Sequence, residues 1–194
     1  YTQYNDQSYD VGIATSRDLI HWKKFGPAFQ EASGGKYAHL NYKSAGIVTA
    51  LKDGRLIATK INGKYWMYWG EKAMHLATST DLIHWSPVED SRGVPIVVLS
   101  KRPGHFDSAF PEMGPSPVLT KKGIVVIYNG KNASEHGDAA IPVGTYSNGQ
   151  ALFAANNPEK LIVRTDKPFF KPEMAYERTG QYKDGTTFAE GLVF

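Results

Sequence analysis

The sequence predicts an all-β protein of the propeller class, built from repeated antiparallel units. A decapeptide occurs at residues 13–22 as I-A-T-S-R-D-L-I-H-W and again at residues 76–85 as L-A-T-S-T-D-L-I-H-W, with eight of ten positions identical. Residues 151–161, A-L-F-A-A-N-N-P-E-K-L, resemble a degenerate third copy. Units spaced by roughly 60–75 residues are typical of large propeller blades. A β-sandwich with a fortuitous duplication is the alternative.

Short apolar or alternating runs, bounded by Gly, Asn, Asp and Pro, predict strands throughout the chain, and no stretch has a helical apolar period of useful length. Asn62-Gly63 predicts a two-residue hairpin, because both central residues of such a turn need positive φ. Lys122-Gly123 is a weaker equivalent. The predicted strands are Asp10–Ser16, Arg55–Ile61, Lys64–Trp69, Lys72–Thr78, Ser116–Thr120, Ile124–Asn129, Ile141–Tyr146 and Gln150–Ala154.

Each copy of the decapeptide predicts the same local structure. A strand ends at a serine, an aspartate bonds nearby backbone N–H groups to make a turn, and a tryptophan packs back on the sheet. We therefore expect Asp18 and Asp81 to hold equivalent turns, with Trp22 and Trp85 in matching buried environments.

The two ends of the chain both read as strands. Tyr1 lies inside one such run, and residues 188–194, F-A-E-G-L-V-F, form another. The three repeated units correspond to about three propeller blades, which cannot close a ring. We therefore expect residues 1–194 to be part of a single β-propeller catalytic domain that lacks flanking segments at both ends.

The composition narrows the classes of function. The 194 residues carry a net charge of +3, and the Lys and Arg residues are scattered, which argues against a nucleic-acid partner. The sequence contains no apolar run of about 18 residues, so no membrane-spanning helix is predicted. The absence of cysteine excludes thiolate chemistry, and the six histidines lack metal-ligand spacing, so we expect neither metal nor cofactor. Either cytoplasm or periplasm suits this composition, and the oligomeric state is left open.

Two glutamates are the predicted catalytic residues. Glu71 follows the aromatic run Y-W-M-Y-W-G, and Glu112 lies in F-P-E-M-G-P-S-P. A carboxylate wedged among Pro, Gly and aromatic residues is restricted and partly desolvated, as general acid–base catalysis requires. Two carboxylates flanking a glycosidic bond are the usual machinery of sugar cleavage. The alternative is a pair of salt-bridged or capping glutamates.

Four further residues are predicted to bind a sugar substrate, and the high aromatic content of 12% suits this partner. Asp107 and Asn129 each have a structural alternative, as turn residues. Glu173 and Glu177 are interpreted as structural. The substrate-binding candidates are Trp69, Asp107, Asn129 and Glu190.

Several segments together resemble glycoside hydrolase family 130, the five-bladed β-propeller enzymes that act on β-mannosides. The resemblance covers nearly the whole chain in the family's order and implies a mannoside or oligosaccharide substrate. The matching segments are A-T-S-x-D-L-I-H-W, K-I-N-G-K-Y-W-M-Y-W-G-E, G-P-S-P-V-L-T-K-K-G-I-V-V-I-Y-N-G, N-P-E-K-L-I-V-R and K-P-E-M-A-Y-E-R-T-G.

The resemblance also bears on the nucleophile. Phosphorylases of the family hold phosphate with an Arg after the aromatic strand, a Lys before the Gly-Pro segment and a His in Y-H-G. This chain has Gly70, Phe110 and Asn129 at those places. Because phosphate needs cationic or strong donor groups, their loss favours water. Glu71 and Glu112 align with two glutamates of the family's β-1,2-mannoside hydrolases.

The resemblance therefore implies an inverting β-mannoside hydrolase, of the β-1,2-mannosidase branch. The family's acid is an Asp in an E-D-P-R motif that donates its proton through a sugar hydroxyl, and this motif would fall just upstream of Tyr1. Two alternatives stay open. One is a β-mannoside phosphorylase that releases mannose 1-phosphate, and the other is a non-catalytic glycan-binding propeller.

Overall fold

A computed structural model describes residues 1–4, 6–38, 40–180 and 182–193. Within them the chain is all-β, as predicted, with only two short 3₁₀ turns at Ala32–Gly35 and Ala175–Arg178. No helix in the described ranges is long and apolar enough to cross a membrane. The strands are β1 Thr2–Tyr4, β2 Tyr9–Ser16, β3 Trp22–Pro27, β4 Ala45–Ile47, β5 Thr49–Lys52, β6 Arg55–Ala58, β7 Lys60–Ile61, β8 Lys64–Trp69, β9 Met74–Ser79, β10 Ser86–Pro87, β11 Val97–Leu99, β12 Phe110–Met113, β13 Val118–Thr120, β14 Gly123–Lys131, β15 Tyr146–Ala154 and β16 Asn157–Arg164.

The strands form three sheets, and the third includes β5 and β6, which lie between β4 and β7 of the second sheet in the chain. The first has the order β1-β2-β3, and the second has the order β10-β9-β8-β4, with β7 and β11 pairing beside it. The third has the order β16-β15-β14-β13-β5-β6, with β12 paired to β14. All pairs within the sheets are antiparallel except β5 with β13. Within the described residues the three sheets do not close into a ring.

The two decapeptide copies are equivalent in local structure, as predicted. In each copy a serine hydroxyl accepts the N–H of a leucine three residues later, at 2.8 Å for Ser16 and 2.9 Å for Ser79. Asp18 and Asp81 then accept two backbone N–H groups each. The leucine has positive φ in both copies, 62° and 69°. One turn chemistry therefore recurs in two successive sheets.

The two tryptophans differ in burial, so the prediction of matching environments is wrong for Trp22. Each indole donates to the leucine carbonyl of its own turn, at 3.2 and 3.1 Å. Trp85 is nevertheless buried, whereas Trp22 is 54% exposed. Trp85 lies in one buried cluster with Ala28 and Phe29 of the preceding unit, and its backbone N–H donates to the Ala28 carbonyl at 3.2 Å. No described segment occupies the corresponding place over Trp22, so burial depends on the preceding unit.

The predicted strand Ile141–Tyr146 is wrong except for its last residue, where β15 begins. The Asn132 amide donates to the carbonyls of Asp138 and Ile141, which curls this segment into turns. The predicted strand over residues 188–194 is also wrong for 188–193, which form no strand, and Phe194 lies outside the described residues. The apolar pattern was present in both segments, but neither has a partner strand.

Strand β8 separates the two buried cores. Its residues alternate between faces, as the period of two requires. Tyr68 packs into the core between the second and third sheets, whereas Met67 and Trp69 pack into the core between the first and second. The Asn62-Gly63 turn that leads into β8 has positive φ at both residues, as predicted. The chain that leaves β8 is therefore anchored from both sides.

Replacement of Trp85 by alanine is expected to destabilise the fold by about 3–5 kcal/mol, because a fully buried indole and its contacts are lost. Chemical denaturation of the two proteins measures this difference. His84→Ala, an exposed change in the same turn, is the control and should cause a much smaller loss. Equal stabilities for the wild type and Trp85→Ala would contradict the packing described above.

Candidate functional site

A single glycine at the end of β8 joins the elements that carry the site. The Gly70 N–H donates to the Ser44 carbonyl at 2.9 Å, and its own carbonyl accepts the Met113 N–H at 3.2 Å. Gly70 has φ of +115°, and a Cβ at this position would collide with the Ala73 carbonyl oxygen. Glycine is therefore required at this position, where the end of β8 is hydrogen-bonded to the start of β4 and to the end of β12.

Glu71 follows this glycine and is held by groups from two other segments. The Tyr9 hydroxyl donates to Glu71 Oε1 at 2.8 Å, and Lys43 Nζ lies 3.7 Å from Oε2. The side chain is only 16% exposed. This hydrogen bond to a carboxylate, followed by burial, raises the pKa of Tyr9 and keeps its phenol protonated.

Glu112 lies within β12 and is more deeply buried, with 2% of the residue exposed. The Ser44 hydroxyl donates to Glu112 Oε1 at 2.6 Å, and Lys43 Nζ lies 3.4 Å from the same oxygen. Pairing of β12 with β14 places Glu112 opposite Asn129. The two glutamates, 41 residues apart in sequence, are thus brought to one ammonium group.

Lys43 is the cation shared by the two carboxylates. Partial burial alone would lower the pKa of Lys43, but the negative charges of Glu112 and Glu71 outweigh it and raise the pKa above its ordinary value. Lys43 is therefore charged at neutral pH. Among the described residues, it is the only cation within ion-pair distance of either glutamate.

A cavity of about 310 Å³ opens beside these groups, with Lys43, Ser44, Glu112 and Glu190 in its wall. Desolvation, followed by the charge of Glu112, raises the pKa of Glu190. Asn129 fixes the backbone next to Glu190, because its side chain accepts the Ala189 N–H at 2.8 Å and donates to the Ala189 carbonyl at 3.2 Å. The buried amide thus holds the segment that carries this third carboxylate.

Tyr146 is a further group near the carboxylates. Burial raises its pKa to about 12, and the charges of Glu112 and Glu71 act in the same direction. Lys131 Nζ lies 5.1 Å from the centre of the Tyr146 ring and 6.0 Å from the Phe110 ring. A second cation therefore lies on the aromatic edge of the site.

Like Asn129, the predicted substrate-binding residues Trp69 and Asp107 are fully buried and lie outside the cavity wall. Trp69 packs between Phe29 and His75, with ring centres 4.9 and 4.7 Å away, beneath the turn that carries Glu71. Asp107 is enclosed by cations, with Arg102 Nη2 at 2.9 Å and Arg164 Nη2 at 2.6 Å from Oδ2. Neither side chain presents surface to a ligand in this structure.

Comparison with known proteins identifies the family. The family profile described as beta-1,4-mannooligosaccharide phosphorylase, glycoside hydrolase family 130, matches residues 1–193. The chain belongs to glycoside hydrolase family 130. A 1,2-beta-oligomannan phosphorylase from Thermoanaerobacter sp. (strain X514) is 28% identical over 184 residues, which cover 93% of this chain and 51% of that relative.

Two solved structures of similar proteins match the fold closely. One from Bacteroides thetaiotaomicron is 52% identical with a TM-score of 0.97, and the match covers 100% of this chain and 56% of that one. Another, from work on family 130 glycoside hydrolases that target β-1,2 mannosidic linkages in Candida mannan, is 48% identical with a TM-score of 0.95 and covers 98% and 53%. The chain thus spans about half the length of these family 130 relatives.

Several residues of the site had no distinctive sequence signal. Tyr9, Ser44 and Tyr146 lie in unremarkable surroundings, and Lys43 is one of many scattered cations in the sequence. Asn41 and Ser44 have positive φ, 52° and 63°, which is uncommon for residues other than glycine. This backbone strain, which lies on both sides of Lys43 in the chain, is visible only in the structure.

Replacement of Gly70 by alanine is expected to lower stability by about 1–3 kcal/mol, because the left-handed backbone disfavours a Cβ and the Ala73 carbonyl blocks it. Thermal denaturation measures the change. Gly63→Ala is the control, because it also has positive φ but open space around its Cβ position. A loss no greater than that of Gly63→Ala would contradict the steric argument.

Proposed function

We propose that the protein containing this chain hydrolyses β-mannosides, with β-1,2-linked mannosides as substrate and water as nucleophile. The observation that carries the proposal is the meeting of Glu71 and Glu112 on Lys43, with Glu112 and Lys43 in the wall of a cavity. Paired carboxylates in a confined polar site are suited to deprotonating water.

The chemistry proposed is a single displacement with inversion. Water loses a proton to the glutamate pair as its oxygen bonds to the anomeric carbon, and the bond to the leaving oxygen breaks. An aspartic acid outside this chain would protonate the leaving oxygen through a sugar hydroxyl. Inversion requires roughly 6.5–9.5 Å between acid and base carboxyls, which leaves room for the water.

Three positions at which the resemblance places phosphate-binding side chains are Gly70, Phe110 and Asn129 in this chain. The lack of a cationic side chain at all three supports water rather than phosphate as the nucleophile. Gly70 has no space for a side chain, and Asn129 uses its amide to hold Ala189. Phe110 packs against Tyr146 with ring centres 6.0 Å apart. An anion entering here would also meet two carboxylates, which would repel it.

The other predicted binding residues receive different roles in this proposal. Glu190, in the cavity wall, would accept a hydrogen bond from a sugar hydroxyl. Trp69 and Asn129 would act beneath the surface, by fixing the turn of Glu71 and the segment of Glu190. Asp107, buried between two arginines, would hold the third sheet together.

We also propose that residues 1–194 form about three blades of a five-bladed propeller within one catalytic domain. Apolar side chains remain exposed at both ends of the row of sheets, including Trp22 and Ile20 at one end and Ile162 and Phe170 at the other. Exposed apolar patches of this kind mark surfaces that another segment covers. The twofold greater length of the relatives agrees with such a segment.

A β-mannoside phosphorylase is the second candidate. The relative from Thermoanaerobacter is named a 1,2-beta-oligomannan phosphorylase, and the family profile is described as beta-1,4-mannooligosaccharide phosphorylase. Lys131, which lies over Phe110 and Tyr146, would then have to turn toward a bound phosphate. Product analysis distinguishes the two reactions.

Incubation of the full-length protein with β-1,2-mannobiose in ¹⁸O-water and excess phosphate is expected to release mannose with ¹⁸O at the anomeric carbon. Omission of phosphate should leave the rate unchanged. Mass spectrometry of the products provides the measurement. Mannose 1-phosphate as the main product would establish phosphorolysis instead, and no release of mannose in either buffer would favour a binding protein.

Glu71→Gln and Glu112→Gln, made separately in the full-length enzyme, are each expected to lower kcat by roughly 10²–10⁴-fold with a smaller change in KM. Glutamine preserves the shape but cannot accept the proton of water. Glu173→Gln, an exposed change away from the cavity, is the matched control. Near wild-type turnover in both site variants, with normal folding, would mean that the glutamates are structural.

A further inference from the structure

We infer that Lys43 is a positioning residue of the site, whose ammonium holds Glu71 and Glu112 together and ionised so that the pair can accept a proton from water. This inference rests on the proposed function and adds to it the residue that controls the pair. Neither glutamate contacts another cation within the described residues.

The geometry assigns different contacts to the two carboxylates. Glu112 Oε1 faces Lys43 at 3.4 Å and accepts the Ser44 hydroxyl at 2.6 Å. Glu71 reaches Lys43 with Oε2, at 3.7 Å, while its Oε1 is occupied by the Tyr9 hydroxyl. Because the two carboxylates would otherwise repel each other, the shared ammonium is the group that permits both to be charged at short range.

The segment that carries Lys43 is held from both sides. The Asn41 side chain accepts the Tyr9 N–H at 3.1 Å, and the Ser44 carbonyl accepts the Gly70 N–H at 2.9 Å. Both Asn41 and Ser44 have positive φ. Strained conformations in non-glycine residues persist where the surroundings enforce them, and they concentrate at functional sites.

The same contacts connect Lys43 to each glutamate through its neighbours. Tyr9 binds Asn41 with its N–H and Glu71 with its hydroxyl, and Ser44 binds Glu112 with its hydroxyl. These three contacts hold the backbone beside Lys43 and both carboxylates, while the Lys43 side chain itself is 42% exposed. The arrangement is therefore more specific than an incidental surface ion pair.

Other titratable groups face this cluster and must be considered in any pH dependence. Glu190 shares the cavity wall, and the ammonium of Lys43 opposes the rise in the pKa of Glu190 that burial and Glu112 produce. The phenols of Tyr9 and Tyr146 have raised pKa values and stay neutral below about pH 10. Lys131 lies over aromatic rings rather than on the carboxylates.

Removal of the ammonium should therefore make the base of the reaction easier to protonate. The base accepts a proton only when it is ionised, and the charge of Lys43 favours the ionised form. Loss of Lys43 should therefore move the acid limb of the profile of kcat/KM against pH to a higher pH. Because Lys43 is partly exposed, solvent screens this effect, and the expected movement of the acid limb in the variant is about one pH unit. A merely structural lysine would lower activity equally at every pH.

The test compares Lys43→Met, Lys43→Arg and the control Lys121→Met, an exposed change in the β13–β14 turn, in the full-length enzyme with β-1,2-mannobiose. The expected result is an acid limb about one pH unit higher for Lys43→Met, restored toward wild type by Lys43→Arg and unmoved by Lys121→Met. If Lys43→Met does not fold, as judged by circular dichroism, Lys43→Gln replaces it.

An unmoved acid limb in Lys43→Met would overturn the inference, whatever the loss of turnover. If Lys43→Met has no activity up to pH 9, the decision rests on Lys43→Arg. An acid limb of kcat/KM at the wild-type pH in Lys43→Arg supports the inference. Loss of activity in Lys43→Arg, or an acid limb at a different pH, overturns it. The proposed hydrolysis is judged separately. It fails if Glu71→Gln and Glu112→Gln keep normal turnover, whereas an unmoved limb alongside inactive glutamine variants removes only the role of Lys43.

Discussion

The site depends on the backbone of one residue, Gly70. Its N–H and carbonyl bind Ser44 and Met113, which are the neighbours of Lys43 and Glu112, and Glu71 follows it directly. A single left-handed glycine thus sets the relative positions of all three charged groups. The conformation leaves no space for a side chain, so a larger residue at this position would require a different path for the chain.

The charges of the site are balanced by a small number of fixed contacts. Two buried carboxylates would be unfavourable together without an opposite charge, and Lys43 supplies that charge to both. A lysine occupied in this way attracts a further anion weakly, because its field is largely neutralised. In the proposed hydrolysis, this arrangement would favour a neutral nucleophile over phosphate, which links that proposal to the ion pairs.

The decapeptide copies illustrate how context acts on identical local structure. Both turns have the same serine, aspartate and leucine contacts, yet only Trp85 is buried. The difference comes from Ala28 and Phe29, which lie one unit earlier in the chain and cover Trp85 alone. A repeated unit in a row of sheets is thus stabilised by its neighbour, and its own sequence determines only its local shape.

The sequence by itself determined the all-β class, the Asn62-Gly63 hairpin and the equivalent turns of the two copies, because these follow from local turn chemistry and periodic patterns. The family was indicated separately, by the resemblance of several segments to family 130. The sequence also singled out Glu71 and Glu112. Only the tertiary structure decided that Lys43 joins them, that Asn129 holds the Ala189 backbone, and that Trp69 and Asp107 are buried. These facts arise from contacts between residues far apart in the chain, which no local pattern encodes.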